Sequence, residues 1–277
     1  MAVKAEILNE ESINSNFNGG AVLIVNDALY DSVNTGSTIY YTLPGPTLFK
    51  GEVSVSDGAL TGNFIVPKSI RFENQNTGRL TIYAWDDENN ASALGNDKSL
   101  LFLGSTNNED PDGPDIDIYF ENQESFNDGD LISNQPVLIA DISDENGINI
   151  TGETGHIISL KLDDKNPKDI SGYFFYERNS YTDGYIRYPM DKLDPGLHTL
   201  KLTAFDNVNN ISEQTINCKI AADAGLVLMN VVNYPNPFRA RTEITKFTFE
   251  YQTQDDRDAE VKIKIYTIAG RLIQTIE

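Results

Sequence analysis

The chain has 277 residues and a formal charge of -21, from 42 acidic and 21 basic side chains. A field of that sign repels polyanions and excludes nucleic acid as a partner. A hydrophobic content of 39% with 10% aromatic residues excludes wholesale disorder. The single cysteine, Cys218, excludes both an intrachain disulfide framework and any multi-cysteine metal site.

The opening stretch, MAVKAEILNE, has no apolar signal region, so an export signal is expected outside the chain. No apolar run reaches the roughly 18 to 20 residues that span a bilayer as a helix. Strand patterns then recur throughout: Val53 and Val55, Phe64 and Val66, Leu80 with Ile82 and Ala84, and Ile116 with Ile118 and Phe120 each alternate with polar or small residues. Further on, Ile158, Leu160 and Leu162, then Leu200, Leu202 and Ala204, then Val261, Ile263 and Ile265 do the same. Turn pairs such as Asp57-Gly58, Asp128-Gly129, Asn146-Gly147 and Asp183-Gly184 punctuate them. Short strands between tight turns predict an all-β chain of tandem antiparallel Ig-like β-sandwiches.

An internal repeat sets the expected module count. Thr81 to Ser92 aligns with Lys201 to Ser212, matching Ala84 to Ala204, Trp85 to Phe205, Asp86 to Asp206 and both Asn pairs. Each copy reads as a hairpin closed by an Asp-x-x-Asn-Asn turn. The expected organisation is one module over 1–106, an acidic linker over 107–114, a second module over 115–224 and a partial third unit over 225–277. That last unit opens with Asn233-Tyr-Pro-Asn-Pro-Phe238, whose prolines exclude helix and central strand and predict an extended entry segment. Fifty residues bury too little apolar surface for an independent sandwich, so the unit is expected to be truncated.

The run from Leu48 to Ile70, LFKGEVSVSDGALTGNFIVPKSI, resembles the post-catalytic region of the PorU-like sortases of the type IX secretion system, members of the gingipain-like cysteine peptidase family. Asp144-Glu-Asn-Gly-Ile-Asn149, Gly155-His156, Tyr188-Pro189 and Gly196-Leu-His-Thr-Leu200 extend the resemblance. Asn233 to Phe238, with Ile265-Tyr-Thr-Ile-Ala-Gly-Arg-Leu272, is similar to FlgD-type Ig-like domains. The resemblance implies that the chain is the non-catalytic β-rich tail of an exported enzyme on the outer face of the bacterial outer membrane. The Cys–His dyad of such an enzyme would lie in an upstream domain, and the FlgD-like unit would continue downstream. The implied role is spacer and docking surface for protein partners at the outer membrane or for secreted cargo. The rival reading is a tandem Ig-like adhesin or carbohydrate-binding segment, stiffened by calcium.

No catalytic or cofactor-binding residues emerge. Cys218 alternates with Ile216 and Ile220 and reads as a core residue. His156 and His198 read as local hydrogen-bond partners, because two histidines and one cysteine so scattered have no zinc spacing. The Tyr173-Phe-Phe-Tyr176 run, with Tyr181, Tyr185 and Tyr188, is either a sugar-binding platform or a set of rings shared between core and surface. Calcium takes six to eight oxygen ligands, and Asp110, Asp112 and Asp115, crowded at the module junction beside Asp117, are its candidate ligands. Asp141, Asp144, Glu145 and Asn146 form a second acidic group that reads as turn chemistry.

Overall fold

The computed structural model describes residues 1–28, 33–34, 40–41, 44–70, 78–102, 110–221, 227–239, 242–252 and 261–276. The chain is nearly all β, and a 3-10 turn at Ser171–Tyr173 is the one helical element among the described residues. The first half supplies β1 (Ala2–Glu6), β2 (Leu8–Asn9), β3 (Ser12–Ile13), β4 (Gly19–Asn26), β5 (Val33–Asn34), β6 (Tyr40–Tyr41), β7 (Thr47–Ser56), β8 (Ala59–Asn63), β9 (Gly78–Asp86) and β10 (Ala91–Leu100). The second supplies β11 (Asp115–Phe120), β12 (Leu131–Ile132), β13 (Val137–Ser143), β14 (Ser159–Leu162), β15 (Lys168–Asp169), β16 (Phe174–Tyr176), β17 (Asp183–Pro189), β18 (Gly196–Phe205) and β19 (Ile211–Ile220). The last segment supplies β20 (Val227–Tyr234), β21 (Lys246–Gln252), β22 (Ile263–Tyr266) and β23 (Leu272–Ile276).

Alternation dictates which face of each strand is buried. In β7, Phe49, Val53 and Val55 follow this period, with Leu48 buried beside them out of phase, and in β18 Leu200, Leu202 and Ala204 point inward while their neighbours are more exposed. In the second half, strands β11, β13, β16 and β17 lie across from the five-stranded sheet β12-β19-β18-β14-β15. Ile118, Leu138, Ile142, Phe174 and Ile186 from the first sheet and Leu160, Leu200, Ile216 and Ile220 from the second belong to one buried apolar cluster. The hairpin β7–β8 turns through Asp57 and Gly58, both at positive φ, as a two-residue hairpin turn demands.

The two halves share a sheet. Its strand order, β10-β9-β4-β7-β16-β17-β13-β11, runs from one half into the other, with β1 and β8 attached to the side of β7. The crossing is a parallel bridge between Gly51 and Tyr176. A Cβ at Gly51 would come within 2.9 Å of the Tyr176 Cβ and 2.7 Å of the Phe49 ring, so only glycine allows this approach. The Phe49 and Tyr176 rings stack with centroids 4.8 Å apart. Beyond the bridge, Asn179 N–H donates to the Glu52 carbonyl at 2.8 Å. The Asn179 side chain clasps Ser54, its Oδ1 accepting from Ser54 N–H at 2.8 Å and its Nδ2 donating to Ser54 Oγ at 2.9 Å. Arg178 donates to the Gly19 carbonyl at 2.8 Å.

The last segment forms two separate hairpins, β20–β21 and β22–β23. None of its residues whose side chains are described is buried. Strand β20 ends at Tyr234, and the chain bends through 235–237 where an extended entry was expected from the two prolines.

Candidate functional site

Two turns of the second half and the segment that precedes β11 meet at one point. The β18–β19 hairpin turn places Asp206 at its base with no solvent exposure. Its Oδ1 accepts from Val208 N–H at 3.0 Å and Asn210 N–H at 2.7 Å, which satisfies the turn's backbone donors. Beside it, 147–149 runs antiparallel to 205–207: Asn149 N–H donates to the Phe205 carbonyl and Asn207 N–H to the Gly147 carbonyl. This contact carries the Asp144 turn to the base of the hairpin. Asn146 N–H closes that turn on Asp144 Oδ1 at 2.7 Å, and Gly147 takes the positive φ the turn requires.

Asn210 brings in the third loop. Its Nδ2 donates to the Asp110 carbonyl at 2.8 Å, the Asp112 carbonyl at 3.0 Å and Asp206 Oδ2 at 2.9 Å. The Asn146 side chain donates to the Asp110 carboxylate. As a result one carboxylate oxygen from each of Asp110, Asp144 and Asp206 lies within 4.8 Å of the other two. Burial pushes the Asp144 carboxyl up to about 6, with the charges of Asp206, Asp110 and Glu145 acting the same way against the Asn146 N–H bond. Burial raises Asp206 too, helped by Asp110, although Asn210 and Val208 hold it down in part.

Of the three residues expected to hold calcium, Asp110 sits in this meeting of loops. Asp112 takes part through its backbone, its N–H donating to Asp110 Oδ1 at 3.0 Å and its carbonyl accepting from Asn210. Asp115 opens β11 and faces outward instead. There it lines an open groove of about 470 Å³ with Asp117, Tyr119, Asp141, Glu177 and Asp183. Burial and the neighbouring Asp141 push the Tyr119 hydroxyl up to about 12. Asp144 and Asp206, which the sequence places in two turns 62 positions apart, are the residues that join Asp110.

The remaining candidates fall elsewhere. Cys218 has no solvent exposure, and burial with the charges of Asp163 and Asp128 pushes its thiol up to about 11, opposite to a nucleophile's requirement. His198 stands across the strand pair from Cys218 in register, but both its ring nitrogens are engaged: Nδ1 with Asp163 Oδ2 at 2.8 Å and Nε2 with the Asp194 carbonyl at 2.7 Å. His156 meets the Phe205 ring edge-on. Phe174, Tyr176 and Tyr188 are buried, while Tyr173 and Tyr181 are exposed, so the aromatic run is divided between core and surface.

No family model matches the sequence. No curated protein matches it. Among solved structures the chain is similar to the crystal structure of dimeric latent PorU from Porphyromonas gingivalis, at 26% identity and a TM-score of 0.45. The match covers 99% of this chain and 26% of that one. No helix of the described residues is long and apolar enough to cross a membrane.

Proposed function

We propose that this chain is a non-catalytic spacer and docking region of an exported, sortase-like cysteine peptidase of the type IX secretion system, held on the outer face of the cell. The motifs from Leu48 to Ile70 and from Asp144 to Leu200 support the assignment to such an enzyme. The observation that carries the spacer role is the sheet bridge between Gly51 and Tyr176. A spacer must keep its ends at a fixed separation, and backbone pairing backed by the Asn179 clasp resists hinging better than a polar linker does. The buried, high-pKa Cys218 thiol supports the non-catalytic part.

Scanning calorimetry of the isolated chain, paired with a peptidase assay, tests the reading. Residues 1–221 should unfold in one cooperative transition, and Cys218→Ala should change no hydrolysis. Two resolved transitions for the halves would remove the spacer role; peptide hydrolysis lost with Cys218→Ala would remove the non-catalytic one.

A further inference from the structure

The meeting of Asp110, Asp144 and Asp206 has the dimensions of a calcium shell. Calcium–oxygen distances of about 2.3 to 2.6 Å put two ligands of one ion at most about 5 Å apart, and the three carboxylate oxygens lie within 4.8 Å of one another. Charge alone does not make such a cluster a site. The second observation is Asn207, which is 1% exposed. Its Nδ2 donates to the Asn146 carbonyl at 2.8 Å, while its Oδ1 has no hydrogen-bond partner among the described residues. Asn207 follows Asp206 directly, and the Asn146 to which it donates also binds Asp110, so the residue that carries this orphaned oxygen adjoins the junction. A buried amide oxygen without a donor costs free energy that a cation would recover.

We infer that Asp110, Asp144, Asp206 and the Asn207 Oδ1 bind one calcium-class cation, which ties the linker segment at Asp110 to the two turns of the second half. Four oxygens from three loops leave two or more positions for water in a shell of six to eight. The ion would neutralise carboxylates that the fold brings together and would hold the linker against the hairpin base. This site stands on its own geometry and does not depend on the docking role proposed above.

The test is calorimetric titration of the chelator-treated full chain with calcium, with magnesium in a parallel arm. One saturable calcium site per chain is expected, with magnesium at least tenfold weaker, and the melting temperature should rise with the logarithm of calcium concentration. Asp144→Asn and Asn207→Ala should each weaken calcium at least tenfold, and Asp117→Asn, in the outer acidic groove, should not. Absence of saturable binding, or binding that Asp144→Asn leaves unchanged, overturns the inference. Should a variant fail to fold, hydrogen exchange of the unaltered chain decides: calcium should protect the amides of 110–112, 144–149 and 206–210, and protection absent there counts against the site.

Discussion

Replacing Tyr176 by Phe removes one oxygen from the centre of the structure and leaves the ring in place. The Tyr176 hydroxyl accepts from Ile148 N–H at 2.7 Å and donates to the Ile148 carbonyl at 2.9 Å. Ile148 faces Asp206 in an antiparallel bridge whose hydrogen bonds are made by Gly147, Asn149, Phe205 and Asn207. The N–H and C=O of Ile148 therefore point the other way, at Tyr176. Tyr176 and Ile148 are both buried, so no bulk water replaces the hydroxyl. A buried donor left unsatisfied costs about 1–3 kcal/mol, and the abandoned carbonyl adds less because it has a second lone pair. Tyr176→Phe should thus destabilise the chain by about 2–4 kcal/mol. At roughly 2–4 °C per kcal/mol for a unit of this size, the melting temperature should fall by about 4–16 °C. Urea unfolding followed by tyrosine and tryptophan fluorescence measures the loss, with the half-exposed Tyr173→Phe as control. A Tyr176→Phe midpoint within about 0.5 kcal/mol of the parent would refute the claim that this hydroxyl satisfies the Ile148 backbone.

Gly51→Val should cost about 1–3 kcal/mol through overpacking against Phe49 and Tyr176 and should loosen the sheet crossing, seen as faster exchange of amides in 51–55 and 176–179. A Gly51→Val variant as stable as the parent would mean the crossing is not tightly packed. The His198 ring gives a pH dependence. Burial alone would lower its pKa, but the Asp194 carbonyl and the Asp163 carboxylate outweigh that and raise it. Its stabilisation is therefore fully present below the unfolded value of about 6.5 and is lost as pH rises through the folded value. Asp163 is shifted down, since the His198 and Thr199 bonds outweigh its burial, so its own contribution is lost only as pH falls through the folded value, below about 3.9. His198→Gln should flatten the stability profile as pH rises above about 6.5; a profile unchanged by the substitution would show that the ring does not titrate with folding.

What the sequence made legible were features written in neighbouring residues. The period-two pattern at Leu200, Leu202 and Ala204 and at Ile216 and Cys218 placed those side chains in the core, where they are found. The Asp86 and Asp206 turns are closed by the same chemistry, each carboxylate accepting from backbone N–H groups two to four positions on. The crossing between the halves was not legible, because a pairing of residues 125 positions apart writes no local pattern. One signal was present: Gly51 lies inside the strand Thr47–Ser56, between Lys50 and Glu52, and a glycine in a strand interior marks a close approach of backbone. The acidic junction was legible only in part. Nearness in sequence grouped Asp110 with Asp112 and Asp115, but strand alternation sends Asp115 to the outer face and the turn spends Asp112 on backbone bonds. Asp144 and Asp206 reach Asp110 through the bridge between Ile148 and Asp206, a tertiary contact.

The central claim is that the two halves form one continuous β body. Spin labels at Leu94→Cys and Leu197→Cys, both sites 74% exposed and one in each half, test it most directly in a Cys218→Ala background. A continuous sheet predicts a single narrow distance distribution by pulsed electron resonance, broadened when Gly51→Val is added. A broad distribution in the unaltered chain, insensitive to Gly51→Val, would contradict the account.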